Sequence, residues 1–141
     1  MRELIQHDLE LAVARNSKER IPLHVACQHG HLEVVKVFDL QSPKIFDAID
    51  ADHNTSLHFA CESECVGVVK HLIEHGASIF STNNKGEAPV HIAAQHKSVK
   101  VIEILLRDYT MIECKDQCNS TPLHHAAKHN QVEIIKFLLE R

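Results

Sequence analysis

The 141-residue sequence has no tryptophan, one tyrosine and four glycines. Those few glycines are scattered singly, so no glycine-rich loop of the kind that binds phosphate is present. The formal net charge is -4, with 15 basic and 19 acidic side chains, so no overall basic field favours nucleic acid or an anionic membrane. No apolar run approaches the ~20 residues of a membrane span, and the N-terminus has no signal-peptide core. We therefore predict no nucleic-acid partner and no direct membrane contact.

The five cysteines form an odd set without the pattern of a small secreted domain. Free thiols in a reducing compartment are the simplest interpretation, and we predict a cytoplasmic location. Cys114 and Cys118 are spaced like a loose zinc pair that His125 could complete, or like oxidant-sensitive thiols. Cys27 and Cys61 occupy a position that alanine fills elsewhere in the chain, where a small buried side chain suffices. We predict neither a metal nor a cofactor.

One pattern occurs four times in the sequence. A tetrapeptide ending in histidine recurs, with the histidines 34, 33 and 33 residues apart. The four tetrapeptides span 21–24, 55–58, 88–91 and 121–124, and each is followed, one residue later, by two small residues. Seven residues beyond the second small residue an aliphatic pair begins, at Val34, Val68, Val101 and Ile134. Internal repetition at this period is typical of a solenoid protein.

Each unit is predicted to fold as a turn followed by two short helices. Proline suits the first helical turn because the N–H that it lacks would be unpaired there, and Thr55 and Thr121 lie where a capping hydroxyl would. Apolar residues at positions i, i+1, i+4 and i+5, as in 134–139, place one apolar face on the second helix. Such a face is too small to be stable alone, so neighbouring units are expected to stack.

The 33-residue period and the T-P-L-H-x-A pattern resemble the ankyrin repeat over nearly the whole chain. This resemblance implies an all-α solenoid of stacked helix-turn-helix units with projecting turns. The predicted units of this single array are 1–15 (the tail of a preceding repeat), 16–49, 50–82, 83–115 and 116–141 (a truncated repeat). The resemblance also implies that the motif histidines brace the main chain between units: His24, His58, His91 and His124.

The turns depart from the family pattern at one position. The glycine expected five residues before the motif histidine survives only as Gly86, and the other turns carry Glu19, His53 and Asn119. Asn and His tolerate a positive φ better than most residues. Glu19 therefore makes the first turn the least well supported by the sequence.

The two ends indicate an incomplete array. At the C-terminal end, Ile135, Leu138 and Leu139 are expected to stay partly uncovered, whereas a terminal repeat normally has a polar outer face. We interpret the chain as a segment cut from a longer array, and a frayed natural terminus is the alternative.

No Ser/His/Asp or Cys/His set stands out among the residues, so we predict no catalytic activity. The family resemblance implies recognition of another protein through the turn tips and the exposed side of the first helix, which together line a concave face. Carried over position by position, these residues are Lys18, Arg20, Gln28, His29, Asp52, Asn54, Glu62, Lys85, Glu87, Gln95, His96, Gln117, Lys128 and His129. Their charges are mixed in sign and no aromatic anchor is among them, which predicts a distributed interface.

His29, His96 and His129 fall on equivalent positions of their units. A column of these side chains would gain charge at about pH 6–6.5. Three separate solvated histidines are the preferred interpretation.

The predicted function is a non-catalytic protein-interaction scaffold, monomeric as an isolated segment and part of a longer array in a larger protein. The stretch "DAIDADHNTSLHFAC" also resembles the cytoplasmic arrays of transient-receptor-potential ankyrin-type cation channels, which makes a regulatory or mechanical channel segment one alternative. The targeting arm of a kinase or ubiquitin ligase is another. The fold does not decide among them, whereas flanking sequence would.

Overall fold

A computed structural model describes residues 9–41 and 43–141, and within these ranges the chain has no β-strand. Eight α-helices lie wholly inside them: α1 (Pro22–Gln28), α2 (Leu32–Val37), α3 (Ser56–Glu62), α4 (Val66–Glu74), α5 (Pro89–Ala94), α6 (Val99–Leu105), α7 (Pro122–Lys128) and α8 (Val132–Leu139). Short 3-10 helices follow α2 and α6, at Phe38–Leu40, Pro43–Asp47 and Tyr109–Ile112. Residues 9–12 are helical as well. Residues 1–8 of the predicted tail lie outside the described part.

The helices form four consecutive pairs that stack into two rows. The first helices of the pairs, α1, α3, α5 and α7, pack against one another in order, and so do the second helices, α2, α4, α6 and α8. Within each pair the two helices also contact each other. The predicted all-α stack of helix pairs is confirmed for the described residues, whereas the exact unit boundaries stay a prediction.

The core lies between the two rows and is built from the repeated apolar positions. At most 1% of each of the following side chains is exposed: Leu23, Leu57, Leu72, Ile102, Leu105 and Ile134. Burying one such side chain contributes about 1.5–3 kcal/mol, and adjacent pairs share this burial. The predicted burial of the small position is confirmed for Cys27 and Cys61, which are 0% and 1% exposed, whereas the equivalent Ala127 of the last pair is exposed.

The C-terminal helix is less open than the sequence analysis expects. Leu138 is only 6% exposed because α8 packs on both α6 and α7, so the prediction that this residue stays uncovered is wrong. Ile135 is half-buried and Leu139 is 69% exposed.

A hydrogen-bonded turn precedes each first helix, and one Asn or Asp side chain organises it. Its oxygen accepts the backbone N–H groups of the residues two and four positions later, an arrangement that replaces helix or strand bonds in such turns. The four organising residues are Asn16, Asp50, Asn83 and Asp116. Their spacing of 34, 33 and 33 residues equals that of the motif histidines.

Successive turns are tied to one another through the main chain. The N–H groups of Ala51, Asn84 and Gln117 donate to the C=O groups of Lys18, Asp52 and Lys85 over 3.1, 2.9 and 3.1 Å. Three of the four turns have a non-glycine residue in the left-handed region: Glu19 (φ 59°), His53 (φ 63°) and Asn119 (φ 58°). The first turn therefore forms despite Glu19, because the Asn16 side chain within it and the N–H of Ala51 in the next turn hold it.

Gly86→Ala is expected to destabilise the fold by about 2 kcal/mol, and Gly76→Ala by about 1 kcal/mol. Both glycines have a positive φ, of 73° and 91°. A Cβ at Gly86 would lie 2.8 Å from the backbone nitrogen of Gln117 in the next turn, whereas a Cβ at Gly76 meets nothing within 4 Å. Urea denaturation of the two variants measures the difference. Equal losses would mean that backbone conformation, not contact between turns, sets the cost.

The motif histidines cap the helices and connect the pairs. In every pair the histidine Nδ1 accepts the backbone N–H of the residue three positions earlier, over 3.0–3.2 Å. Nε2 of His24, His58 and His91 bonds to a C=O of the next turn region, at Ala48 (2.8 Å), Glu87 (2.9 Å) and Cys114 (3.1 Å). The implied bracing role is therefore present in three of the four histidines within the described residues.

Thr55 and Thr121 are the N-cap residues of α3 and α7, as predicted, and their hydroxyls contact the motif histidines. The Oγ1 atoms of Thr55 and Thr121 lie 2.9 and 2.8 Å from the Nδ1 atoms of His58 and His124. The imidazole Nδ1 therefore accepts the N–H of the N-cap threonine, and the threonine hydroxyl contacts the same ring nitrogen.

Candidate functional site

An open cleft of about 630 Å³ lies between the turns and the first helices of the second and third pairs. We call it the turn–helix cleft. It is lined by Arg20, Gln28, Asp52, Asn54, His58, Phe59, Glu62, Asn83, Asn84, Lys85, Glu87, Ile92, Gln95 and His96. Nine of the fourteen residues predicted from the sequence are among them. Gln117 and Lys128 line a second recess of about 280 Å³ beside it, and Lys18, His29 and His129 line neither.

Arg20 lies in the cleft wall and is held there by internal contacts. Its guanidinium lies 4.5 Å from the centre of the Phe59 ring, donates to Gln28 Oε1 at 3.1 Å and pairs with Asp50 Oδ2 at 3.4 Å. The side chain is 17% exposed and that of Asp50 only 1%. A planar cation stacked on a ring and paired with a carboxylate has little freedom to rearrange. Arg20 therefore shapes the cleft wall and supports the first turn.

A second polar network crosses from the third pair to the fourth. The Asn83 amide donates to Asn54 Oδ1 (3.1 Å) and Glu87 Oε2 (3.0 Å), and the Gln95 amide donates to the other Glu87 oxygen (3.3 Å). The same Gln95 amide lies 3.1 Å from Nδ1 of His125. Glu87 is 8% exposed. This predicted contact residue is consequently occupied by structural bonds.

His125 and Asp116 form a close pair at the end of this network. Nε2 of His125 lies 2.8 Å from Asp116 Oδ2. Burial opposes ionisation of Asp116, but the N–H of Ser120 and the His125 ring together hold the pKa of this carboxyl below its usual range. The carboxylate therefore stays ionised and keeps its turn intact at neutral pH.

The side chains that remain exposed around the cleft are fewer than predicted. Asp52, Glu62, Asn84 and Lys85 are exposed, and the Asn84 amide donates to the C=O of Ala51 in the preceding turn. Half-buried Ile92 contributes apolar surface to the lining. These groups offer hydrogen bonds and charges of both signs beside an apolar contact.

The three equivalent histidines occupy different surroundings. The rings of His29 and His129 bond through Nδ1 to the C=O groups of Val25 and His125, one turn earlier, at 2.9 and 3.0 Å. His29 also stacks on His31, with ring centres 5.9 Å apart. Nδ1 of His96 lies 3.8 Å from Glu64. His29 and His129 thus contact their own helix pairs, whereas His96 faces a carboxylate of the preceding pair, and the role of these histidines stays a prediction.

The cysteines do not assemble a metal site among the described residues. The His, Cys, Asp and Glu groupings at ligand distance are Asp39–His71–His75 and Glu87–Asp116–His125, and neither contains a thiol. Burial raises the pKa of the Cys27 thiol to about 12 and raises that of Cys114 as well. Cys114 lies against the main chain, with Sγ 3.1 Å from the C=O of Met111, and Cys118 is exposed. His125 bonds to Asp116 instead of joining Cys114 and Cys118.

The sequence analysis did not single out Phe59 and Asn83, which line the cleft, or Asp50 and Asp116, which organise turns, and it named His125 only as a possible zinc ligand. A signal for three of them was present, since Asn or Asp recurs at 16, 50, 83 and 116 with the period of the repeat. Phe59 carried no such signal, because the equivalent positions hold Val25, Ile92 and His125.

None of the helices in the described ranges is both long enough and apolar enough for a membrane crossing. A family model described as "Ankyrin repeats (3 copies)" matches the chain at residues 1–83, 23–117 and 57–141. Together these matches extend over the whole chain.

Proteins of different kinds are similar in sequence to part of this chain. It is 33% identical over 70 residues to CAP-Gly domain-containing linker protein 3 of Xenopus laevis, and 33% identical over 76 residues to diacylglycerol kinase zeta of Rattus norvegicus. These alignments cover 48% and 53% of this chain but only 13% and 8% of the relatives. A transcription factor, MBP1 of Kluyveromyces lactis, is 43% identical over 49 residues, or 35% of this chain and 6% of its own length. The family match and the stacked helix pairs agree, and the chain belongs to the ankyrin-repeat family.

Proposed function

We propose that this chain is a protein-binding ankyrin module that holds its partner in the turn–helix cleft. Ankyrin repeats are in general protein-interaction modules within larger proteins, and a stack of repeats provides an extended surface for such binding. The observation that carries the proposal is the cleft itself, because its polar wall is fixed by internal bonds of Arg20 and Glu87. A wall fixed in advance lowers the entropy lost on binding.

The exposed side chains define which partner fits. Asp52 and Glu62 are exposed acidic residues of the cleft lining, and Lys85 provides a positive charge on the next turn. A polypeptide segment with a basic residue toward Asp52 and Glu62 and an acidic residue toward Lys85 is complementary to it. Among the residues predicted from the sequence, these three are the proposed partner contacts. Arg20, Asn54, Glu87 and Gln95 are proposed to support them.

The double variant Asp52→Lys/Glu62→Lys is expected to weaken binding of the natural partner at least about tenfold, or about 1.4 kcal/mol. Both side chains are exposed, so the reversal changes the surface and leaves the core intact. The partner is obtained by affinity capture with the unaltered chain, and its affinity is then measured by isothermal titration calorimetry.

A matched control carries the same charge change on the other row of helices. Glu74 and Glu103 are exposed on α4 and α6, and the variant Glu74→Lys/Glu103→Lys is expected to bind like the unaltered chain. If the control weakens binding and the cleft variant does not, the partner uses the second-helix surface and the proposal is wrong.

One relative supports a more specific second proposal. Diacylglycerol kinase zeta is by its name a kinase, so a kinase in which this array serves as the targeting arm is a candidate for the whole protein. Flanking sequence with a kinase domain supports it, and six apolar stretches of about 20 residues would support the channel alternative instead.

A further inference from the structure

A cluster on the second-helix surface, away from the turn–helix cleft, brings two histidines and a carboxylate together. His71 lies in the last turn of α4 and His75 follows that helix at its C-cap. Asp39 lies in the 3-10 helix Phe38–Leu40 of the preceding pair. Nε2 of His71 is 2.8 Å from Asp39 Oδ1, and Nε2 of His75 is 3.8 Å from Asp39 Oδ2. One ligand atom from each residue lies within 4.8 Å of the others.

The spacing suits a tetrahedral transition-metal ion. With bonds of about 2.0–2.1 Å, neighbouring ligand atoms in such a site lie roughly 3.4 Å apart, and both measured distances fall within about 0.6 Å of that value. Histidines at i and i+4 on one helix are a common pair of metal ligands because they project from the same face. Small side-chain rotations would bring all three atoms to one ion.

His75 is already oriented as metal-binding histidines are. Its Nδ1–H donates to the C=O of His71 at 2.8 Å, so the Nε2 lone pair points to the cluster. A ligating imidazole usually donates its other N–H to a carbonyl or carboxylate in this way, which fixes the tautomer. The ring is further packed against Phe46 at 6.0 Å and against the His71 ring at 4.1 Å, measured between ring centres. This orientation is independent of the distances to Asp39.

The site is open on one side. The side chains of His71, Asp39 and His75 are 11%, 26% and 39% exposed. An ion can therefore enter from solvent, and water can fill the fourth position that three protein ligands leave. Imidazole nitrogens with one carboxylate favour zinc and its neighbours in the first transition row over the hard cations calcium and magnesium, which prefer oxygen ligands.

We propose that Asp39, His71 and His75 form a binding site for a divalent transition-metal ion of the zinc class. The ion would link the 3-10 helix that follows α2 in the first pair to the C-terminal end of α4 in the second pair. The ion would replace the direct contact between His71 and Asp39 by bonds from both histidines and the carboxylate. Because such an ion binds only the folded arrangement, it also stabilises the packing of the first helix pair on the second. This proposal does not depend on the proposed function of the cleft.

The test uses Co²⁺ as a coloured substitute for Zn²⁺ and the whole chain. We expect one Co²⁺ per chain, visible d–d absorption of a nitrogen- and oxygen-bound ion, and no thiolate-to-cobalt charge-transfer band. His75→Gln and Asp39→Asn are each expected to lower the affinity at least about tenfold. Both side chains are partly exposed, so the variants should fold, and equal melting temperatures without metal check this.

His125→Gln is the matched control, because it removes the histidine from Glu87–Asp116–His125, the other grouping at ligand distance. It should leave Co²⁺ binding unchanged. Zn²⁺ should raise the melting temperature of the unaltered chain and of His125→Gln, but not that of His75→Gln. The proposal is overturned by affinity that survives both Asp39→Asn and His75→Gln, by affinity that disappears in His125→Gln alone, or by a thiolate band, which would assign the ion to the cysteines.

Discussion

Lowering the pH below 6.5 is expected to destabilise the folded chain steeply, by up to about 4 kcal/mol per pH unit. His24, His58 and His91 are at most 2% exposed, and burial lowers the pKa of each despite hydrogen bonds to the main chain. Each such histidine can contribute up to about 1.4 kcal/mol per pH unit. A typical domain has only 5–15 kcal/mol in total.

The hydrogen bonds show why these rings must stay neutral. Nδ1 of His58 accepts the N–H of Thr55 at 3.1 Å, while Nε2 faces the C=O of Glu87 at 2.9 Å. Only the tautomer with its proton on Nε2 satisfies both partners, and a protonated ring would direct an N–H at the N–H of Thr55. Because the folded pKa lies below the unfolded value, the unfolded state binds more protons in acid. The stability is therefore complete above pH 6.5 and is lost as the pH falls.

Urea denaturation followed by far-ultraviolet circular dichroism, repeated between pH 7.5 and 5, measures this slope. His58→Gln should reduce the slope by about a third while also lowering stability at neutral pH, because one of three buried titrating groups is gone. His124→Gln is the matched control, since His124 occupies the same motif position but is exposed, and it should leave the slope nearly unchanged. A slope that does not differ between these two variants would contradict the assignment to the buried histidines.

The repeat period alone predicted the helices and their stacking. The aliphatic pairs and the small residues recur at fixed spacing, and many buried side chains, such as Ala60 and Ile102, fall on those positions. A periodic pattern of buried positions can be read from the sequence, because each repeat packs the same positions against its neighbours.

The local connections were less predictable because neighbouring pairs determine them. Glu64 and Asn130 take a positive φ in the position of Gly30, whereas Lys97 does not. Instead, the N–H of Lys97 donates to the Glu64 carboxylate at 3.2 Å, and the Ser98 hydroxyl accepts from Val101. No pattern within one unit specifies a bond to a side chain 33 residues earlier.

In the candidate site, some properties of a side chain follow from its position within one repeat, and others follow from contacts between repeats. Exposure of Asp52, Glu62 and Lys85 follows from their place in the repeat, and the family resemblance supplied them. Burial of Arg20 and Glu87 follows from partners in other elements, namely Phe59 of α3 and Gln95 beyond α5. Position within a repeat thus predicts which side chains can face a partner, but contacts between repeats decide which remain available.

Asp50→Ala is expected to cost about 3 kcal/mol of unfolding free energy. The Asp50 carboxylate accepts the N–H groups of Asp52 at 3.0 Å and Asn54 at 2.8 Å, and its other oxygen pairs with Arg20. Removing the carboxylate leaves the charge of Arg20 without its partner. The N–H groups of Asp52 and Asn54 also lose their acceptor, and each adds a desolvation cost. Asp52→Ala alters an exposed side chain of the same turn and should change stability by no more than about 0.5 kcal/mol.

The variant Asp50→Asn distinguishes the stability contributed by the hydrogen-bonded turn from that contributed by the ion pair. The chain itself has Asn16 and Asn83 at the equivalent positions, where each amide oxygen accepts the same two N–H groups. Asparagine should therefore keep the turn and lose only the negative charge that pairs with Arg20, at a cost of about 1 kcal/mol. Chemical denaturation of the three variants gives the order. If Asp50→Asn is as damaging as Asp50→Ala, the ion pair with Arg20, and not the hydrogen-bonded turn, holds the first two helix pairs together.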